Sequence, residues 1–482
     1  MSIIKLNKKG EKIISVILGA LITGFMWRCR GSHGFGSSWG LFAVGTTLTL
    51  LIFAFYGNKS TMKFELIPLG ALMFGATVTG WGTVNGQMAG VLSSQIPLAG
   101  QTEVTLTPVS PYKGLIMMLI MGFTLVPLFA AFVGMLFSKK EYKLYHFVII
   151  VAVFFAVSYL CRATVSHNIL NAIHPDAVSC FKAGLLDAGK DSEPVTAYLK
   201  HFSNMSWAKK IPYGRNYFMC IENISNCIAA IAVSLTALIA FKDVPAFSAC
   251  LFINTGAAVS VTVSDIFLII DKNTGFLANI TPPEWLESGS WSMWEIGTGF
   301  GIGLFTMLFI AILPGSLSGG KTYKGEPLIP GKVFRFIYDY LAFIFVFAVV
   351  PFRTFGLRFF TILEDRGAIK DDEVLGSAVC AVLTLIMAII VFGSFKKNIL
   401  DKNMPVPFKV KPVEFARTAL PCCFAYSGIC YFLLGDMSLV KLFTKPEGFT
   451  LTDGVVVKTM LALYVLTFVF LLLSKKPKKA KS

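Results

Sequence analysis

Apolar and polar positions in this chain are sorted into long blocks. Apolar runs occupy about 13–27, 39–56, 64–80, 114–137, 144–165, 223–241, 246–270, 292–314, 334–352, 374–394, 418–434 and 455–473. Most come close to the ~20 residues an α-helix needs to cross a bilayer. They are too long and too uniformly apolar for barrel strands, and open strands cannot cross lipid. The pattern predicts an all-α, polytopic integral membrane bundle of about 12 transmembrane helices. It forms a single transmembrane domain over 1–482.

The polar blocks give an orientation. With the N-terminus inside and the runs alternating, the inside segments carry Lys5, Lys8, Lys9 and Lys12, then Lys59 and Lys63, then Lys139, Lys140 and Lys143, then Lys242. They continue through Lys321, Lys324, Lys332 and Arg335, the basic block at 396–417, and the lysine-rich tail at 475–481. More than half of the 43 lysines and arginines fall inside, while Glu364, Asp365, Asp371, Asp372 and Glu373 fall outside. Basic residues collect in cytoplasmic loops, so both termini are expected to be cytoplasmic. The first run lacks a small-residue cleavage site and ends at Trp27-Arg28, which reads as an uncleaved helix.

Two loops stand out. Segment 166–222 is long and polar and is expected to form an extracytoplasmic cap between spans five and six. It holds His174-Pro175-Asp176, a helix-like stretch over 177–186, and Glu193-Pro194 opening another. Segment 82–113 is nearly uncharged and contains Gly82, Gly86 and Gly90.

Composition agrees with the pattern. The chain of 482 residues is 55% hydrophobic and only 15% charged, against about 25% charged in soluble domains. A net charge of +16 in a soluble protein would raise the question of nucleic acid. Here the basic residues sit in short loops, with neither zinc-finger spacing nor one continuous stripe, so no nucleic-acid partner is expected. The expected partners are the lipid bilayer and a small anionic solute or a lipid headgroup, and the expected location is the inner or plasma membrane. Among ten cysteines, Cys180, Cys220 and Cys227 lie in or beside the polar segment, where pairing is open. No Cys-x-x-Cys pair occurs, which leaves metal and thioredoxin-like chemistry unsupported.

Candidate chemistry begins at 27–45. Arg28, Arg30 and His33 stand where the first run ends, followed by glycines and by Ser37-Ser38-Trp39 opening the next helix. Fixed positive charge beside a helix N-terminus suits an anion. The competing reading makes Trp27, Arg28, Arg30 and Trp39 headgroup anchors. A related pattern recurs four spans later in Cys161-Arg162 and Ser166-His167, and again at Arg353 and Arg358. The assigned topology puts all these arginines on one side.

Acids join that side. Asp265 lies about two turns from the outer end of the seventh span, and Glu295 lies near the start of the eighth. Ionisable residues at membrane depth are costly and mark functional sites by default. The seventh span, with Asn254-Thr255-Gly256 followed by Ser260, Thr262 and Ser264, is expected to be interrupted. So is the eighth, with glycines at 297, 299, 301 and 303. Interrupted helices carry the binding sites of secondary transporters, although small residues also serve close packing.

No cofactor fingerprint, metal motif or catalytic triad appears in the sequence. Twelve spans with both ends inside is the plan of the major facilitator proteins. Their hydrophilic loop midway is absent, and after the second span the chain reads Gly57-Asn58-Lys59-Ser60-Thr61-Met62-Lys63 in place of their acidic-basic motif. Membrane glycosyltransferases that use lipid-linked sugars carry an acid in the first outside loop, where this chain has Arg28, Arg30 and His33. Neither family's residues transfer.

The expectation is a secondary transporter of a small, anionic solute. Its candidate binding residues are Arg28, Arg30, His33, Arg162, His167, Asn254, Thr255, Asp265, Glu295, Arg353 and Arg358. The alternative is a membrane-embedded enzyme with an outer-leaflet active site, such as a transferase acting on a phosphorylated lipid or a lipid-linked substrate.

Overall fold

The computed structural model describes residues 8–31, 38–57, 66–77, 111–192, 211, 214–276, 289–313, 331–350 and 411–422, with isolated positions in 194–197, 382–390 and 465–469. The described residues are helical, with no strand among them. The helices are α1 (Lys8–Gly31), α2 (Ser38–Tyr56), α3 (Leu66–Thr77), α4 (Pro111–Phe123), α5 (Pro127–Phe137), α6 (Leu144–Thr164) and α7 (Ser166–Ile173). They continue with α8 (Pro175–Asp187), α9 (Gly214–Leu235), α10 (Val244–Thr274), α11 (Gly289–Ile312), α12 (Lys332–Ile344) and α13 over 412–422.

Among the described residues, five helices are long and apolar enough to cross a membrane: Lys8–Arg28, Leu144–Thr164, Tyr217–Ala240, Val244–Leu268 and Met293–Ile312. The run at 114–137 becomes a sixth when α4 and α5 are counted as one span bent by 42°. The runs at 39–56 and 64–80 form shorter apolar helices. Those at 374–394, 418–434 and 455–473 lie wholly or mostly outside the described residues, as do the segment at 82–113 and the acids at 364–373.

The chain divides into two compact units. The first combines Met1–Ala76, Phe137–Leu144 and Pro282–Ser482. Its centre is the contact between α1 and α11, which is made by glycines. A Cβ on Gly299 would fall 2.3 Å from the Trp27 Cβ and 2.7 Å from the Thr23 carbonyl oxygen. One on Gly303 would fall 2.5 Å from the Gly19 carbonyl oxygen. Helices in lipid gain little from hydrophobic exclusion and associate through such close backbone approach. α11 therefore runs unbroken from Gly289 to Ile312, and the interruption expected in the eighth span is absent. Its glycines are packing surface. Near the other end of α1, Lys12 donates to the Ala311 carbonyl, and the Ser15 and Tyr56 hydroxyls join α1 to α2. Arg417 of α13 donates from Nε to the Ala54 carbonyl at 2.8 Å.

The second unit combines Thr77–Leu136 and Tyr145–Thr281. Its longest element, α10, is an uninterrupted helix of 31 residues, about 46 Å at 1.5 Å per residue. The expected interruption around 254–258 is absent here too. Ser260 and Thr262 turn their hydroxyls onto the Gly256 and Ala258 carbonyls, four residues back, and so meet their hydrogen-bonding needs inside the helix. The helix is started by a tight turn. Lys242 adopts φ 50°, Asp243 accepts from the Ala246 N–H at 3.0 Å, and Pro245 occupies the first turn, where its missing N–H costs nothing.

The break in this unit falls between α4 and α5. Pro127 has no N–H to give the Phe123 carbonyl, and the N–H groups of Thr124 and Leu125 bond only three residues back, to Met121 and Gly122. α6 buries Phe147, Ile150, Phe154, Ser158 and Cys161 as one stripe and leaves Val148, Phe155, Tyr159 and Leu160 exposed. An apolar exposed face of this kind suits lipid rather than water. Cys180, Cys220 and Cys227 are free thiols, so the pairing left open in the sequence is not made.

Candidate functional site

In the second unit, polar side chains join α6 and α7 to α9 in an antiparallel ladder. The Ser158 hydroxyl donates to Asn226 Oδ1 at 2.6 Å, Arg162 Nη2 lies 3.6 Å from Glu222 Oε1, and His167 Nδ1 lies 2.8 Å from the Tyr217 hydroxyl. Ser166 and Ser225 meet at 2.8 Å, and because Ser225 gives its proton to the Ile221 carbonyl, Ser166 is the donor. The Ser158, Arg162 and His167 rungs advance by four or five residues along both partners, which keeps them on one side of the helices, and the Ser166–Ser225 contact lies beside them. Tyr217 is held by Phe181 of α8, stacked at 4.2 Å with the rings 5° from parallel. Burial and the nearby Lys182 hold the His167 imidazole below its ordinary pKa, so the ring is neutral near pH 7.

Arg162 was expected to meet an anion; its structural neighbour is the carboxylate of Glu222. Glu222, Asn226 and Tyr217 were not recognised in the sequence. The signal was there: Ser158 and Arg162 on one span, and Glu222 and Asn226 on the next, are each spaced by four. Breaking one side of such a pair is strongly destabilising, by about 3–5 kcal/mol in a fully buried case, because the other charge is stranded. This pair is partly exposed, so its cost is smaller.

The second feature is one face of α10. Ala246, Cys250, Asn254, Ala257, Val261 and Asp265 are all fully buried and fall within about a third of the helix circumference. Asn254 and Asp265 differ from the others. Neither the amide atoms of Asn254 nor the carboxylate oxygens of Asp265 have a hydrogen-bond partner among the described residues. A buried polar group left unsatisfied costs about 1–3 kcal/mol, and a charged one more. Thr255, the next residue after Asn254, is exposed and lies off this face.

α4 and α5 pack against that face. A Cβ on Gly122 would lie 2.5 Å from the Ala258 Cα, and one on Gly134 would lie 2.5 Å from the Ala246 Cα. The two contacts fix an antiparallel register, in which the break between Phe123 and Pro127 sits level with Asn254. Asn254 is about 15 Å along α10 from Val244, half of a ~30 Å hydrocarbon core.

His174 joins α7 to α8. It is 1% exposed, and neither ring nitrogen has a hydrogen-bond partner among the described residues. Its Nδ1 lies 4.0 Å from Asp176, whose carboxylate is bonded by Lys113. Burial is the main cause lowering its pKa, to about 4, with the Asp176 charge opposing and Lys113 reinforcing.

In the first unit, Arg28 is buried near the end of α1, and Glu295 is half-buried in the first turns of α11. The Arg30 side chain, His33, Arg353 and Arg358 lie outside the described residues. Arg162, His167, Asn254, Thr255 and Asp265 all belong to the second unit, where His167 and Arg162 share the ladder and Asn254 and Asp265 share the α10 face.

The fold and its apolar helices define the class: an all-helical chain with several helices able to cross a membrane, the signature of a membrane protein. No protein-family model, curated protein or solved structure matches the chain.

Proposed function

We propose that this protein is a secondary transporter for a small, anionic solute, embedded in the inner or plasma membrane through about 12 spans with both termini cytoplasmic. Asp265 couples solute movement to protons or another cation. The observation that carries this reading is the Asp265 carboxylate, fully buried in a membrane-length helix without a hydrogen-bond partner among the described residues. A structural acid in that position is expected to hold an arginine, and Arg162 already faces Glu222. Arg28, Arg30 and Arg162 attract the anion.

The test uses the full chain in proteoliposomes with an internal pH-sensitive dye and a panel of small organic and inorganic anions added outside. At least one anion is expected to drive a pH change that Asp265→Asn removes, with the variant still folded and inserted. An Asp265→Asn protein that moves the anion and the proton like the unaltered chain would sink the assignment.

A second reading has its own support. The ladder puts His167, neutral near pH 7, beside Tyr217 and the Arg162–Glu222 pair at one end of α6 and α9. In a membrane enzyme acting on a phosphorylated or lipid-linked substrate, His167 would serve as general base. Loss of transfer from such a lipid in His167→Gln, together with no solute movement by the unaltered chain, would favour that reading.

A further inference from the structure

The broken span and Asn254 together form a feature that Asp265 does not explain. At the break, the Phe123 carbonyl has no donor four residues on, because residue 127 is proline, and the N–H groups of Thr124 and Leu125 are drawn to carbonyls three residues back. Carbonyl oxygens are thereby released from the helix ladder at an apolar depth. Level with them, across the Gly122–Ala258 and Gly134–Ala246 contacts, stands the fully buried Asn254, whose Oδ1 and Nδ2 are both without a hydrogen-bond partner among the described residues. Thr124 is also buried there, with its hydroxyl proton committed to the Met121 carbonyl, so that its oxygen can act only as an acceptor toward any further group.

We propose that this break is a binding site for a single sodium ion, held by Asn254 Oδ1, the Phe123 carbonyl and the Thr124 hydroxyl. The donor set is hard and neutral. Divalent cations bound by oxygen are usually held by carboxylates, and Asp265 lies about 16 Å away, three turns along α10, too far to share an ion. Unwound carbonyls at a helix break near mid-depth are the ligands that monovalent cations find in transporters. The coupling role of this sodium rests on the transporter reading above; its binding does not.

The experiment measures radioactive sodium binding to the purified full chain in detergent, with choline chloride holding ionic strength constant. Saturable binding near one ion per chain is expected. Asn254→Ala removes a ligand, and Pro127→Ala returns an N–H donor to the Phe123 carbonyl. Each is expected to weaken binding at least tenfold. Absence of saturable sodium binding by the unaltered chain overturns the proposal, whatever the variants do. So does unaltered binding in either folded variant. Sodium binding without any solute movement would keep this site and reject the transporter, whereas solute movement indifferent to sodium, with no binding, would do the reverse.

Discussion

At the scale of single residues, polar groups in this protein differ in whether they have partners. The ladder residues Ser158, Arg162 and His167 are partnered, whereas Asn254, Asp265 and His174 are buried without hydrogen bonds among the described residues. His174 allows a direct test. Its folded pKa, about 4, is below the ordinary 6.5, so the folded state binds fewer protons than the unfolded state between those values. Stability is therefore full above about pH 6.5 and falls as the pH drops toward 4, where the slope ends. Thermal unfolding of the full chain across that window is expected to show this loss, and His174→Gln should flatten it. An equal slope in the variant would remove His174 from the account. The sequence named Asp265, Asn254 and His174 but could not say which were satisfied. The counter-charge of Arg162 lies 60 positions away in Glu222, beyond a polar segment. Only the four-residue spacing on the two spans hinted at the match.

At the scale of elements, the runs at 144–165, 223–241, 246–270 and 292–314 correspond to helices because an apolar block of that length has few other structures open to it in lipid. Breaks were harder to read. Glycines at 299 and 303 look like interruptions in a sequence, yet they let α1 and α11 touch. Pro127, inside an apolar run, is the residue that breaks a span, because it removes a donor that glycine leaves in place. The α1–α11 contact is correspondingly intolerant of bulk. A Cβ at position 303 meets backbone at 2.5 Å and the Thr23 side chain at 2.7 Å. Gly303→Ala is expected to cost roughly 1–3 kcal/mol, the usual range for overpacking. Gly303→Leu is expected to abolish the monodisperse peak in size-exclusion chromatography. A leucine variant as stable as the unaltered protein would mean that the helices do not meet there.

At the scale of the whole molecule, the basic blocks make a testable map. Single cysteines introduced within 185–200 are expected to react with an impermeant maleimide added outside cells, and those within 400–410 only after the membrane is opened. The reverse pattern would invert the topology and move Asp265 and the ladder to the cytoplasmic side. α10 adds a constraint of another kind. Its start is fixed by the Lys242 turn and the Asp243 cap; with that turn at one membrane face, its excess length over a ~30 Å core would emerge at the opposite end. Asp265 lies about 32 Å from that start, a distance close to the thickness of that core. On the proposed topology the helix would act as a depth gauge anchored at one face. A bilayer thickened by a few ångströms would then set the carboxylate deeper, and a thinner one would bring it level with the headgroups. Because Asp265 is fully enclosed by protein, acyl-chain length would act on the depth of this carboxylate in the bilayer rather than on its packing, a control that no substitution is needed to reach.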